Sequence, residues 1–132
     1  MDDLTKEEFE KAFAGEPEKI SNDWKWGLDR LQKIVGEDNK AKGFWKERTS
    51  IDRTLILIIS EIIEAHEELR AGNEINGAYY KEGKPEGFGI EIADALIRIL
   101  DLAEYHNLNM AILVEEKLNY NRTRPHMHGK KF

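Results

Sequence analysis

LIISEIIEAHEELRAG, residues Leu57–Gly72, decides how this chain is built. The stretch opens as solid hydrocarbon, continuing the run Leu55–Ile59, and then acids appear every few residues. Successive residues of an α-helix turn by about 100°, so Glu61 and Glu64 fall about 60° apart on one face. Leu57 sits on that same face one turn earlier, and its neighbours Leu55, Ile56, Ile58 and Ile59 leave no polar side. A helix that is apolar all round is a buried one. The two acids are therefore expected to continue a buried face.

A second helix repeats the arrangement. Ile90, Ala93, Leu96, Ile97 and Leu100 form a wide apolar arc, with Glu91 and Asp94 sharing a face at its edge and Arg98 and Asp101 following. Two neighbouring helices thus each offer two carboxylates at i, i+3, and one loop joins them, which favours an antiparallel pair. Four carboxylates in a partly dry site raise one another's pKa, and burial adds to the effect. A divalent cation removes the conflict. Hard oxygen ligands of this kind suit Mg²⁺, which binds a few carboxylates together with waters and substrate phosphates.

The remaining punctuation is mostly helical. Thr5 with Glu8 forms a capping box and Gly15 a stop, predicting a helix over about 5–14. Trp24, Leu28, Leu31 and Val35 keep helical spacing up to Gly36, predicting a second over about 18–35. GEDNKAKGFWKERTS, residues 36–50, reads as a connection or weak helix, with Phe44 and Trp45 as core residues. Ser50 caps the third helix, which ends at Gly72; the fourth covers about 89–106 and is closed by Asn107; Asn109 caps a fifth over about 110–121. The glycine-rich segment 73–88 reads as a loop with a small hairpin turned at Asn76-Gly77. The expected fold is all-α: one domain over 1–132, a bundle of about five helices. Its four-helix core is completed by oligomerisation, with residues 1–43 as a helical extension and 125–132 as a tail.

Composition narrows the function. The chain has 132 residues, 40% of them apolar, and a formal net charge of −6. An acidic surface argues against nucleic-acid binding, which rests on cations that neutralise phosphates. It leaves room for small phosphorylated ligands, because a metal reverses the local field. No apolar run approaches the roughly 20 residues needed to span a bilayer, so no membrane partner is expected. The opening MDDLTKEEFEK has no hydrophobic stretch and does not read as a secretory signal. With no cysteines in the chain, a reducing, cytoplasmic setting is expected. His66 and His106 do not make a di-iron bundle, since Ile63 and Ala103 stand where Glu-x-x-His needs its acids.

Glu61-x-x-Glu64 followed by Glu91-x-x-Asp94 resembles the E-x-x-E…E-x-x-D signature of the MazG-like all-α nucleoside triphosphate pyrophosphohydrolases. The contexts SEIIEAHEELR, GKPEGFGIEIADALIRILDLA and KLNYNRTRPHMHGKKF carry the resemblance from about Phe44 to Phe132. Ser60 stands where some relatives have an extra Glu. The resemblance implies Mg²⁺-dependent (or Mn²⁺-dependent) hydrolysis of a (deoxy)nucleoside triphosphate between the α and β phosphates, giving the monophosphate and pyrophosphate, in control of the nucleotide pool. It implies metal ligation by Glu61, Glu64, Glu91 and Asp94, with Glu64 as general base and Glu61 beside it. It implies substrate contacts from Lys117, Asn121, Arg122 and Arg124, and a homo-oligomer, dimer or tetramer. A second reading is a non-catalytic nucleotide- or partner-binding protein of the same fold. A third is a plain helical interaction module whose acids are surface charge.

Overall fold

Capping residues set most of the element boundaries in the computed structural model, which describes residues 23–48 and 50–125. In chain order the elements are α1 (Asp23–Ala41), α2 (Ile51–Arg70), β1 (Tyr79–Lys81), β2 (Lys84–Glu86), α3 (Phe88–Tyr105) and α4 (Met110–Thr123). The described residues are mostly helical, as an all-α chain requires, with one two-stranded sheet. The helix expected over 5–14, and the start of the one expected over 18–35, lie outside the described residues.

Ser50 begins α2 as expected: its backbone is extended and its Oγ accepts from the Arg53 N–H at 3.1 Å. At the far end Gly72 N–H reaches Leu69 O and Asn73 N–H reaches Glu68 O, the paired bonds of a Schellman stop. The same pair closes α3. Asn107, at φ 56°, sends its N–H to Glu104 O while Leu108 N–H bonds Ala103 O. Asn109 then caps α4, its side chain accepting from Ile112 N–H at 3.2 Å. Arg124 is extended, as the residue before Pro125 must be.

Two expectations fail for identifiable reasons. Gly36 does not end α1, which runs on to Ala41. It is a packing glycine: a Cβ there would collide with Glu104 Cγ and lie 3.0 Å from Glu104 Cβ and 3.2 Å from Trp45. Residues 36–41 are accordingly the last of α1, and the turn comes at Gly43, with φ 87°. The hairpin does not turn at Asn76-Gly77, which instead forms a separate turn with Gly77 N–H on Glu74 O. It turns at Glu82-Gly83, both at positive φ (53° and 78°), with Tyr79 opposite Glu86 and Lys81 opposite Lys84.

Gly36→Ala is expected to destabilise the chain by about 1–3 kcal/mol, the usual cost of overpacking, although alanine is the better helix former by about 1 kcal/mol. A urea melt measures it, and a stability gain would show that Glu104 gives way freely.

The chain divides into two compact units. One is Gln32–Leu108; the other joins Met1–Leu31 to Asn109–Phe132, of which 23–31 and 109–125 are described. In the first, α2 and α3 pack along one another. Its buried apolar residues are Val35, Ala65, Ala95, Leu100 and Ala103, so apart from Val35 and Leu100 the interior is lined by methyl groups. Gln32 is buried there as well, its Nε2 donating to Leu108 O at 2.8 Å and to Glu104 Oε1 at 3.2 Å. In the second unit α4 buries Ala111, and Lys25 pairs with Glu115 at 2.5 Å. No helix among the described residues is long and apolar enough to cross a membrane.

Candidate metal centre and its cavity

Two stripes at helical spacing, polar except for one leucine, face each other in the Gln32–Leu108 unit. On α2 the stripe is Thr54, Leu57, Glu61 and Glu64; on α3 it is Glu91, Asp94, Arg98 and Asp101. All eight residues line one cavity of about 840 Å³. Glu61 meets Arg98, while Glu68, two turns further along α2, groups with Glu91, two turns back on α3. The helices therefore run antiparallel.

All four predicted metal ligands reach this cavity, but not equally. Glu61 and Glu91 are each 7% exposed and Asp94 is half-buried. Glu64 is exposed, which corrects the expectation that it continues the buried face. The rotation of about 60° between it and Glu61 is enough to carry it from the helix contact to the cavity mouth. Glu61, Glu91 and Asp94 each present an oxygen within 4.8 Å of the others. A second group, Glu68, Glu86 and Glu91, has the same spacing, so Glu91 belongs to both. Glu68 also accepts from Tyr79 OH, at 2.9 and 3.1 Å, which ties the hairpin to α2.

The crowding has electrostatic consequences. Burial, hydrogen bonding with Glu61 and Glu64, and the charges of Glu64 and Asp94 push the Glu91 carboxyl up to about 8. Burial also raises Glu61, but hydrogen bonds with Arg98, Glu64 and Glu91 outweigh it and hold that carboxyl below its ordinary value. The Arg98 Nε–Glu61 Oε1 distance is 2.8 Å. Asp94 is raised, by burial and by the charge of Glu61, against the opposing pull of Arg98 and Lys84.

The residues present fit a divalent cation. The donors are hard oxygens, and an ion with bonds of about 2.1 Å spans roughly 4.2 Å between opposite ligands, so small side-chain rotations close the set. A carboxyl that its neighbours keep protonated is also one that a cation can ionise. The metal-free protein should therefore lose stability as pH rises. Glu91 holds its proton to about pH 8 when folded but gives it up near 4.5 when unfolded, so its contribution is full below 4.5 and gone above about 8. Thermal melts between pH 5 and 9 in a chelator check this, and Glu91→Gln should flatten the profile. A stability that climbs through that window would contradict the crowding.

The other wall of the cavity comes from the segment after α1 and from the start of α2, including Phe44, Arg48, Ser50 and Arg53. Phe44, expected in the core, is 64% exposed and lines the cavity instead. Trp45 is half-buried; its Nε1 donates to Asp101 Oδ1 at 2.8 Å, and its ring meets Tyr105 edge-on at 5.2 Å. Arg48 donates from Nη2 to Asp101 Oδ2 at 2.6 Å, and its guanidinium lies 4.6 Å from the Tyr105 ring centroid. Asp101 is the clasp that binds this segment to α3. Its place in the series Glu91, Asp94, Arg98, Asp101 was visible in the sequence; its partners Trp45 and Arg48 lie more than fifty positions away and were not.

The four predicted substrate contacts lie in the other unit, at the end of α4. Lys117 Nζ and Arg124 Cζ sit 4.8 and 5.8 Å from the centroid of the exposed Tyr120 ring. Arg122 lines a small hollow of about 100 Å³ with Trp24, Glu115, Leu118 and Asn119, and Asn121 O accepts from Arg124 N–H at 3.2 Å. The histidines of the tail, His126 and His128, lie outside the described residues. No family model, curated protein or solved structure matches the chain.

Proposed function

We propose that the chain is a Mg²⁺-dependent nucleoside triphosphate pyrophosphohydrolase. The observation that carries this reading is one cavity, about 840 Å³, lined by Glu61, Glu64, Glu91 and Asp94 together. Glu61, Glu91 and Asp94 would hold the ion, with Glu64 beside them. When bound, it would neutralise the phosphate tail and acidify a water for attack on the α-phosphorus. Glu64, exposed and outside the tightest group of three, would take that water's proton on its carboxylate. Arg98 fixes the orientation of Glu61 through its Nε.

The experiment is a panel of canonical and modified nucleoside triphosphates with Mg²⁺, scored for pyrophosphate and monophosphate. Orthophosphate as the sole inorganic product would reject cleavage between α and β.

The active form is proposed to be a homo-oligomer. Ile56 and Ile63 of α2 are 63% and 54% exposed, with Ile59 and, on α3, Leu96 about half exposed. Apolar exposure on this scale supports an interface between copies of the chain. Sedimentation should give a dimer or larger, and Ile56→Glu with Ile63→Glu should yield monomer. A wild-type monomer at high micromolar concentration would refute this.

A further inference from the structure

The cavity has four cations on its walls, and two are already committed. Arg48 is bonded to Asp101 at 2.6 Å and Arg98 to Glu61 at 2.8 Å. The other two are Arg53, in the first turn of α2, and Lys84, on β2 of the hairpin. Arg53 is exposed and has no ion pair among the described residues. Lys84 has a side chain 74% exposed, and its ion pair with Glu86, 3.5 Å from Nζ to Oε1, is a loose one. Both cations can turn to a ligand at little cost in broken interactions. The hairpin that carries Lys84 is tied to α2 through Tyr79 and Glu68, so Lys84 is delivered to the cavity by an anchored element.

An acidic cavity that takes a phosphate chain needs this kind of help. Glu61 is balanced by Arg98, and a divalent ion offsets two further acids. The phosphate oxygens then still face Glu47 and an excess of negative charge. We infer that Arg53 and Lys84 form the phosphate-tail subsite of this cavity, Arg53 as a forked, two-point contact and Lys84 as a mobile point charge. The inference rests on the triphosphate reading for the identity of the ligand. It places phosphate recognition within the Gln32–Leu108 unit itself.

The test is calorimetric titration of the full chain with inorganic tripolyphosphate and excess Mg²⁺. The variants are Arg53→Met, Lys84→Met, the double variant and Lys46→Met, an exposed lysine that does not line the cavity. Loss of one charge-assisted contact should weaken binding about tenfold or more, and loss of both about a hundredfold. Arg53→Lys should recover part of the loss. Binding of Mn²⁺ alone should weaken in none of the variants, because the carboxylates remain intact and the Lys84 charge that acts on Asp94 only opposes a cation. Wild-type affinity in the double variant overturns the subsite, as does equal weakening in Lys46→Met. A wild-type chain that binds no tripolyphosphate sinks the subsite and the triphosphate reading together. Binding that depends on Arg53 and Lys84, with no pyrophosphate released from any nucleotide, upholds the subsite and removes the hydrolase.

Discussion

Asp101→Ala should cost about 3–5 kcal/mol of folding stability, the usual effect of stripping the partner from a buried ion pair. The Arg48 and Asp101 side chains are 12% and 8% exposed, so the guanidinium left behind has little water to turn to. Arg48 Nη1 is already buried without an acceptor, so among the described residues the hydrogen bond from Nη2 to Asp101 carries much of what holds the cation, beside its contact with the Tyr105 ring. Trp45 Nε1 would lose its acceptor in the same step. The double variant Arg48→Met with Asp101→Leu should recover most of the loss, since an apolar pair of similar volume is often as stable as the buried ions it replaces. A loss below about 1 kcal/mol in the single variant, well under the ordinary range for a buried pair, would mean that the wall around Phe44 is held by something else.

Glu64→Gln should leave the fold intact and remove activity. Glu64 is exposed and lies outside the three carboxylates of tightest spacing, so the chain should still fold, and relief of the Glu64 charge on Glu91 should if anything raise metal-free stability. Under the proposed mechanism turnover should fall about 10²–10⁴-fold, the range for loss of a positioned general base. Glu91→Gln should likewise raise metal-free stability at pH 8, while weakening the hold on Mg²⁺. Full activity in Glu64→Gln would remove the proton-transfer role, and the remaining carboxylates would then have to share the chemistry.

Residues that act through their neighbours in the chain were legible. Ser50, Asn107 and Asn109 end or begin helices where their side chains and backbone angles say they should, because capping needs only the next few residues. The acidic stripes were legible for the same reason, since an i, i+3 repeat is a local property that survives into the cavity. Gly36 misleads because a glycine that stops a helix and one that admits a neighbour look alike until the neighbour, here Glu104, is placed. The hairpin was misplaced because Asn-Gly outranks Glu-Gly as a local signal, and the strand register decided otherwise. The cationic wall could not be read at all. Arg48, Arg53 and Lys84 share a cavity through tertiary contacts, and nothing in their spacing announces it.

The methyl groups between α2 and α3 have one more consequence. Ala65 follows Glu61 by one turn and Ala95 follows Glu91 by one turn, each at most 2% exposed. These two side chains act as the shim that sets the gap between the helix axes, and through it the span across which the acids must reach one another. A chain drifting from alanine to valine at either place would keep every charged group and every hydrogen-bond donor, yet its ion-binding geometry would be detuned by a change in thickness alone.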